Sequence, residues 1–146
     1  MSIDQALQPY RNIFLDTAPV IYFVENHPVF YRACHAIFAR IQLGKCTAVT
    51  SPITLAECII HPIRLNRPDL QFQYTTAITK GTNTRFVGTN EEIAVHAAEL
   101  RTRYTLTLTD ALQLATALHA KCDAFVTNDI RLKRVAEISF LVISEF

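Results

Sequence analysis

Glycine is scarce in this chain. Only Gly44, Gly81 and Gly88 occur among 146 residues, and they stand far apart. Their spacing excludes the G-x-G-x-x-G and Walker A loops, which need clustered glycines to bring backbone N–H groups onto phosphate. Any phosphate chemistry here must use another device. The four cysteines, Cys34, Cys46, Cys58 and Cys122, form no C-x-x-C pair. His27, His35, His61, His96 and His119 show no ligand spacing and read as surface or packed side chains. Apolar runs such as Pro19–Val24 and the interrupted Ala136–Ile143 fall far short of the roughly 20 residues of a membrane span. The start, MSIDQALQPYRN, lacks a basic segment followed by an apolar stretch, so no secretory signal is expected. Without one, the cysteines are expected as reduced thiols packed in the core of a cytoplasmic protein. Neither sign of charge dominates: 14 Lys and Arg face 13 Asp and Glu, for a net charge of +1. Charge alone therefore makes no case for a general nucleic-acid surface, though a local basic cluster remains open.

What the chain does have is apolar substance. Half of its residues are hydrophobic and the mean hydropathy is +0.18, which argues against disorder. Residues 1–146 suit one domain, able to bury roughly 70% of the surface its unfolded form exposes. Strand and helix signals alternate. Strands are predicted at Ile13–Leu15, Cys46–Thr50, Arg85–Val87, Ala124–Val126 and Phe140–Ile143. Between them lie helices at Thr17 to about Glu25, Val29–Leu43, and Ser51 to about Ile60, the last broken by His61-Pro62. Further helices are predicted at Arg67–Thr79, from Thr89 (capping-box spacing with Glu92) to about Arg103, after Thr107 or Thr109, and over Ile130–Val135. This alternation specifies an α/β fold with a mainly parallel sheet covered on both faces. Such sheets bind ligands beyond the carboxyl ends of their strands, where the strand order reverses.

Two acids stand at such ends. Asp16 follows the first strand in NIFLDTAPVIYF, and Asp129 follows the fourth in FVTNDIRLKR. If those strands are neighbours, the two carboxylates meet; the pattern suggests that adjacency without proving it. Taken singly, Asp16 and Asp129 read as helix caps, and Asp110 as a first-turn acid complementing a helix dipole. Glu57 resists that reading. It lies mid-helix among Ile53, Ala56, Ile59 and Ile60, so it is expected to be buried, with a cation as partner. Four carboxylates in one pocket repel unless some are protonated or a cation sits among them. Hard oxygen donors without histidine or thiolate suit Mg²⁺ or Mn²⁺, ions that assist phosphoryl displacement. Arg131, Lys133 and Arg134 follow Asp129 and place phosphate contacts within reach, Arg131 first. The aromatic series Tyr22, Phe23, Phe30, Tyr31 and Phe38 reads as core or as a partner surface.

Other acidic-site folds fit less well. A haloacid-type phosphatase wants Asp-x-Asp, whereas Asp16 is followed by Thr17-Ala18. A response-regulator receiver wants an acid after its third strand and a lysine after its fifth, and neither is present. The segments FLDTAPVIYFVE, SPITLAECIIHPIR, LTDALQLATALHAKCDAFVTNDIRLKRV and FLVI resemble, in order and almost end to end, a PIN domain, and within that superfamily the VapC-type toxin ribonucleases. The resemblance implies a single three-layer α/β/α domain with strand order 3-2-1-4-5. It places the family's acidic quartet on Asp16, Glu57, Asp110 and Asp129 as metal ligands for Mg²⁺ or Mn²⁺, and its small polar residue on Thr127, beside Asn128. It also implies an endoribonuclease acting on RNA, a small antitoxin docking on the first helices, and a homodimer. Two alternatives share the fold: a housekeeping RNA-processing nuclease without an antitoxin, and a non-catalytic binding module. The chain departs from the pattern at Ala18, where Asn or Ser is usual, and at Thr109, where Pro is common. The loss at Ala18 turns attention to Thr17 and Thr127 as hydrogen-bonding neighbours of the acids.

Overall fold

A computed structural model describes all residues from Met1 to Phe146. Five strands, β1 (Asn12–Leu15), β2 (Thr47–Thr50), β3 (Thr84–Phe86), β4 (Ala124–Thr127) and β5 (Ser139–Val142), form one parallel sheet in the order β3-β2-β1-β4-β5. Parallel strands need crossover connections, and each one here is helical, which covers both faces. The side chains alternate accordingly. Ile13 and Leu15 of β1 face one core together with Ala48, Ala124 and Val126. Helices α1 (Ile3–Leu7), α2 (Thr17–Val24), α3 (Tyr31–Gln42), α4 (Pro52–Arg64) and α5 (Pro68–Lys80) close over that face. Phe14, Val49 and Phe125 point the other way, under α6 (Glu91–Tyr104) and α7 (Leu108–His119). Phe14 and Phe125 stack there at 5.0 Å between ring centroids. Short 3₁₀ turns at Ile130–Arg134 and Ile143–Glu145 flank β5. No helix is long and apolar enough to cross a membrane.

The predicted elements appear in the predicted order, with three corrections. Helix α1 was not expected. Ser2 and Gln5 form a capping box, and Ile3 and Leu7 are buried in the core beside α3, enough to hold five residues that no periodicity announces. Helix α4 runs through Pro62 to Arg64 instead of breaking at His61. A proline so near the helix end removes one intrahelical bond, and its ring is buried, so packing offsets the loss. Helix α6 is capped by Asn90, whose side chain accepts the Ile93 N–H at 2.9 Å, and not by Thr89. All four cysteines are buried and unpaired.

Helix α7 is largely buried, as its nearly all-round apolar sequence requires, and it carries one buried amide. Gln113 accepts a hydrogen bond from Ser51 Oγ and donates to Thr54 Oγ1 at 2.7 Å. Thr54 Oγ1 in turn donates to the Leu15 carbonyl at 3.3 Å. Ser51 also caps α4 through the Thr54 N–H. One amide thereby ties α7 to the start of α4 and to the end of β1, just before Asp16. Gln113→Ala leaves a cavity and takes one partner from each of two buried hydroxyls, so it is expected to lower stability by about 2–4 kcal/mol. Urea unfolding checks this; a change below about 0.5 kcal/mol, the usual range for surface substitutions, would show that the network contributes nothing.

Candidate active site

β1 and β4 pair in parallel with Leu15 opposite Val126, so the residues that follow, Asp16 and Thr127, stand side by side at the carboxyl end of the sheet. The backbone continues the pairing, with the Asp16 N–H donating to the Val126 carbonyl at 3.0 Å. Thr127 is fully buried and its hydroxyl works in both directions. It donates to Asp16 Oδ2 at 2.8 Å and accepts the Asp129 N–H at 3.1 Å. The other carboxylate oxygen, Asp16 Oδ1, caps α2 by accepting the Thr17 N–H at 2.9 Å. Thr17 Oγ1 donates to Glu57 Oε1 at 2.7 Å. The two threonines singled out by Ala18 therefore each hold one acid.

Asp110 sits in the first turn of α7, whose start is capped by the Thr107 hydroxyl at 3.2 Å from the Asp110 N–H. Asp129 caps the 3₁₀ turn through the Arg131 N–H at 3.0 Å, and the Arg131 guanidinium clasps its carboxylate. Both cap readings hold, and they coexist with placement in one site. Asp16, Glu57, Asp110 and Asp129 all line a single cleft of about 550 Å³, together with Thr17, Thr127, Asn128 and Arg131. Ala18, Ile21 and Tyr22 form its apolar wall.

Glu57 departs from expectation. It is exposed and makes no ion pair; its partner is the Thr17 hydroxyl, not a cation. The reason is helical geometry. Thr54, Cys58 and Pro62 recur every four residues and take the buried stripe of α4, which leaves Glu57 on the flank, at the lip of the cleft. Two further contributors escaped the sequence reading. One is Gln113. The other is Tyr22, whose hydroxyl accepts from Asn128 Nδ2 at 3.1 Å while Asn128 Oδ1 accepts the Ser144 N–H at 2.9 Å. Asn128 is thus held between α2 and the turn that follows β5. An aromatic next to a second aromatic run gave no sign of that bond.

The electrostatics separate the acids. Burial pushes the Asp16 carboxyl up from 3.8 to about 6; the Thr127 hydroxyl and Thr17 N–H pull it down, while Asp110 and Glu57 push it up again. Asp129 moves the other way, held below its usual value first by the Arg131 side chain. No ion pair engages Asp16, Glu57 or Asp110. The donor set is all oxygen and negatively charged, which fits a hard divalent cation. As they stand, however, no three of these acids converge closely enough to form a ready cage. Thr17 and Arg131 each engage one of them, Glu57 and Asp129.

The PIN domain family matches residues 13–138 of this sequence. The chain belongs to that family. No curated protein matches the sequence. Among solved structures, the VapBC2 complex of Rickettsia felis bound to promoter DNA is similar at 20% identity and a TM-score of 0.70, over 90% of this chain and 98% of that one. DNA-bound VapBC from Salmonella typhimurium gives 17%, 0.69, 91% and 98% in the same terms. VapC20 of Mycobacterium tuberculosis, a sarcin-ricin loop cleaving toxin, gives 17%, 0.64, 77% and 86%. At such identities the likeness is one of fold, and the PIN order β3-β2-β1-β4-β5 is met in full.

The raised Asp16 value has a consequence for stability. Its folded-state pKa of about 6 lies above the ordinary 3.8, so the native state holds this proton longer than the unfolded chain. The stability linked to Asp16 is therefore complete below about pH 4 and is lost as pH rises through about 6, by no more than about 3 kcal/mol. Asp16→Asn keeps the cap and removes the titration. In EDTA, the variant is expected to gain about 1–3 kcal/mol on wild type between pH 4 and 7.5, as read by urea unfolding. A constant difference across that range would contradict the assignment.

Proposed function

We propose that this PIN domain is a divalent-cation-dependent endoribonuclease, and that it is the toxin of a type II toxin–antitoxin pair acting in the cytoplasm. The observation that carries the reading is the gathering of Asp16, Glu57, Asp110 and Asp129 around one cleft, with Asp16 desolvated and without a cationic partner. Asp16, Asp110 and Asp129 would hold Mg²⁺ or Mn²⁺, with Glu57 completing the ligand set. When bound, such an ion stabilises charge on the phosphodiester oxygens and lowers the pKa of a water it carries.

The chain's own groups do the positioning. Thr127 and Thr17 fix both oxygens of Asp16, so its remaining lone pairs point in set directions. Thr17 holds Glu57 at the lip, where it can accept a proton from a water entering the cleft. Ala18, Ile21 and Tyr22 keep one side apolar and limit solvent. Asn128 and Arg131 supply donors for the phosphates and riboses of an RNA strand, and Thr17, whose hydroxyl proton is committed to Glu57, offers an acceptor to a ribose 2′-OH. In-line attack by water on the phosphodiester would leave a 5′-phosphate.

Two observations support a protein partner. VapBC complexes from Rickettsia felis and Salmonella typhimurium share the fold, and an apolar hollow of about 480 Å³ opens between Phe23, Tyr31 and Phe72 on the α2, α3 and α5 side. We assign that side to an amphipathic antitoxin segment, and the functional toxin to a homodimer.

Cleavage of total RNA with mapped ends, in Mn²⁺ and in EDTA, tests the activity. Cleavage is expected only with the metal. Asp16→Asn should lower it at least about 100-fold, beyond what loss of a supporting neighbour of a metal ligand usually costs. Residual activity equal to wild type, at matched folding and purity, would overturn the reading.

A further inference from the structure

Three cations stand on the 3₁₀ turn Ile130–Arg134, and two of them are committed elsewhere. Lys133 Nζ lies 2.9 Å from Glu145. Arg134 donates to the Tyr104 carbonyl at 3.0 Å and also to the Thr105 carbonyl. Arg131 instead folds back over Asp129. Its Nε lies 2.9 Å from Oδ1, its Nη2 lies 2.9 Å from Oδ2, and its backbone N–H lies 3.0 Å from Oδ1. It is the only cationic side chain lining the acid cleft.

A carboxylate offers about four lone-pair sites. Arg131 fills three of those on Asp129: both on Oδ1 and one on Oδ2. Asp129 therefore meets the cleft with a single free acceptor, and an arriving divalent cation would face a guanidinium already seated on its ligand. The hold is light, however. The Arg131 side chain is 80% exposed and Asp129 29%, and no other acid shares the clasp.

We propose that Arg131 is a gating counter-ion. It occupies Asp129 while no divalent cation is bound, gives up the carboxylate when one arrives, and then turns its fork to an RNA phosphate. This rests on the metal-dependent reading above and adds the competition to it. Forked guanidinium geometry suits both partners, since carboxylate and phosphate each accept two parallel N–H bonds. Lysine delivers the charge without the fork, which makes it the discriminating replacement.

The test uses the whole chain as wild type, Arg131→Ala and Arg131→Lys. Mn²⁺ alone is titrated calorimetrically into each. Both variants are expected to bind it about two- to fivefold more tightly, the span of a weak exposed pair. Binding of a labelled single-stranded phosphorothioate RNA is then read by anisotropy in Ca²⁺ and in EDTA. Arg131→Ala should weaken it severalfold in Ca²⁺ and not in EDTA, where the wild-type arginine is still seated on Asp129. Arg131→Lys should fall between wild type and Arg131→Ala in Ca²⁺, keeping the charge without the fork, and match wild type in EDTA. Equal Mn²⁺ affinity in all three proteins would overturn the gate and leave the metal reading standing. Mn²⁺ binding by the variants and none by wild type would also overturn the gate, since Arg131 would then block the ion instead of yielding to it. No binding by any of them would overturn gate and metal reading together.

Discussion

The parallel pairing of β1 with β4 is the constraint on which the site depends. Two strands separated by more than a hundred residues of chain are locked in register from Ile13 opposite Ala124 to Leu15 opposite Val126. Their ends deliver a carboxylate and a hydroxyl into contact. From there the rest is short-range. Asp16 caps α2, Thr17 at the start of that helix reaches Glu57 on α4, and Thr127 passes through its hydroxyl to Asp129. A slip of one residue would turn Asp16 to the other face of the sheet and uncouple all of these contacts. The stack of Phe14 on Phe125 resists such a slip.

A second theme is the unequal treatment of like charges. Four acids around one cleft are a liability in a metal-free protein, and each is handled differently. Asp16 is desolvated with only neutral donors, and so it rises to about 6. Glu57 is turned to solvent and given a hydroxyl. Asp129 receives a guanidinium. Asp110 keeps the favourable start of a helix. Binding of a cation would relieve the repulsion that these devices only reduce. Stability given up at such a cluster is the ordinary accompaniment of a site built for charged ligands.

Much of this was legible in the sequence because it is local. Strand–helix alternation, Ser51-Pro52 at a helix start, and the aspartates following apolar strands all depend on neighbours a few positions away. The PIN resemblance then supplied the strand order that spacing left open. What escaped depends on tertiary surroundings. Glu57 looked buried because its flanks are apolar, but the side of a helix that faces the core is set by Thr54, Cys58 and Pro62 together. Pro62 looked like a break because its ring's burial is invisible locally. The five residues of α1 are held by Ile3 and Leu7 in a core beside α3 that the sequence does not display. Gln113 and Tyr22 serve through partners 59 or more positions away, so no local pattern could reveal them.

The central claim is that the desolvated carboxylate of Asp16 is a cation site rather than only a cap. A carbon-13 NMR titration of the aspartate carboxyls, with and without Mg²⁺, tests it most directly. The metal-free protein should show Asp16 titrating near 6, and saturating Mg²⁺ should move that midpoint well below the ordinary 3.8, because the cation favours the charged form. A midpoint unmoved by Mg²⁺ would contradict the account.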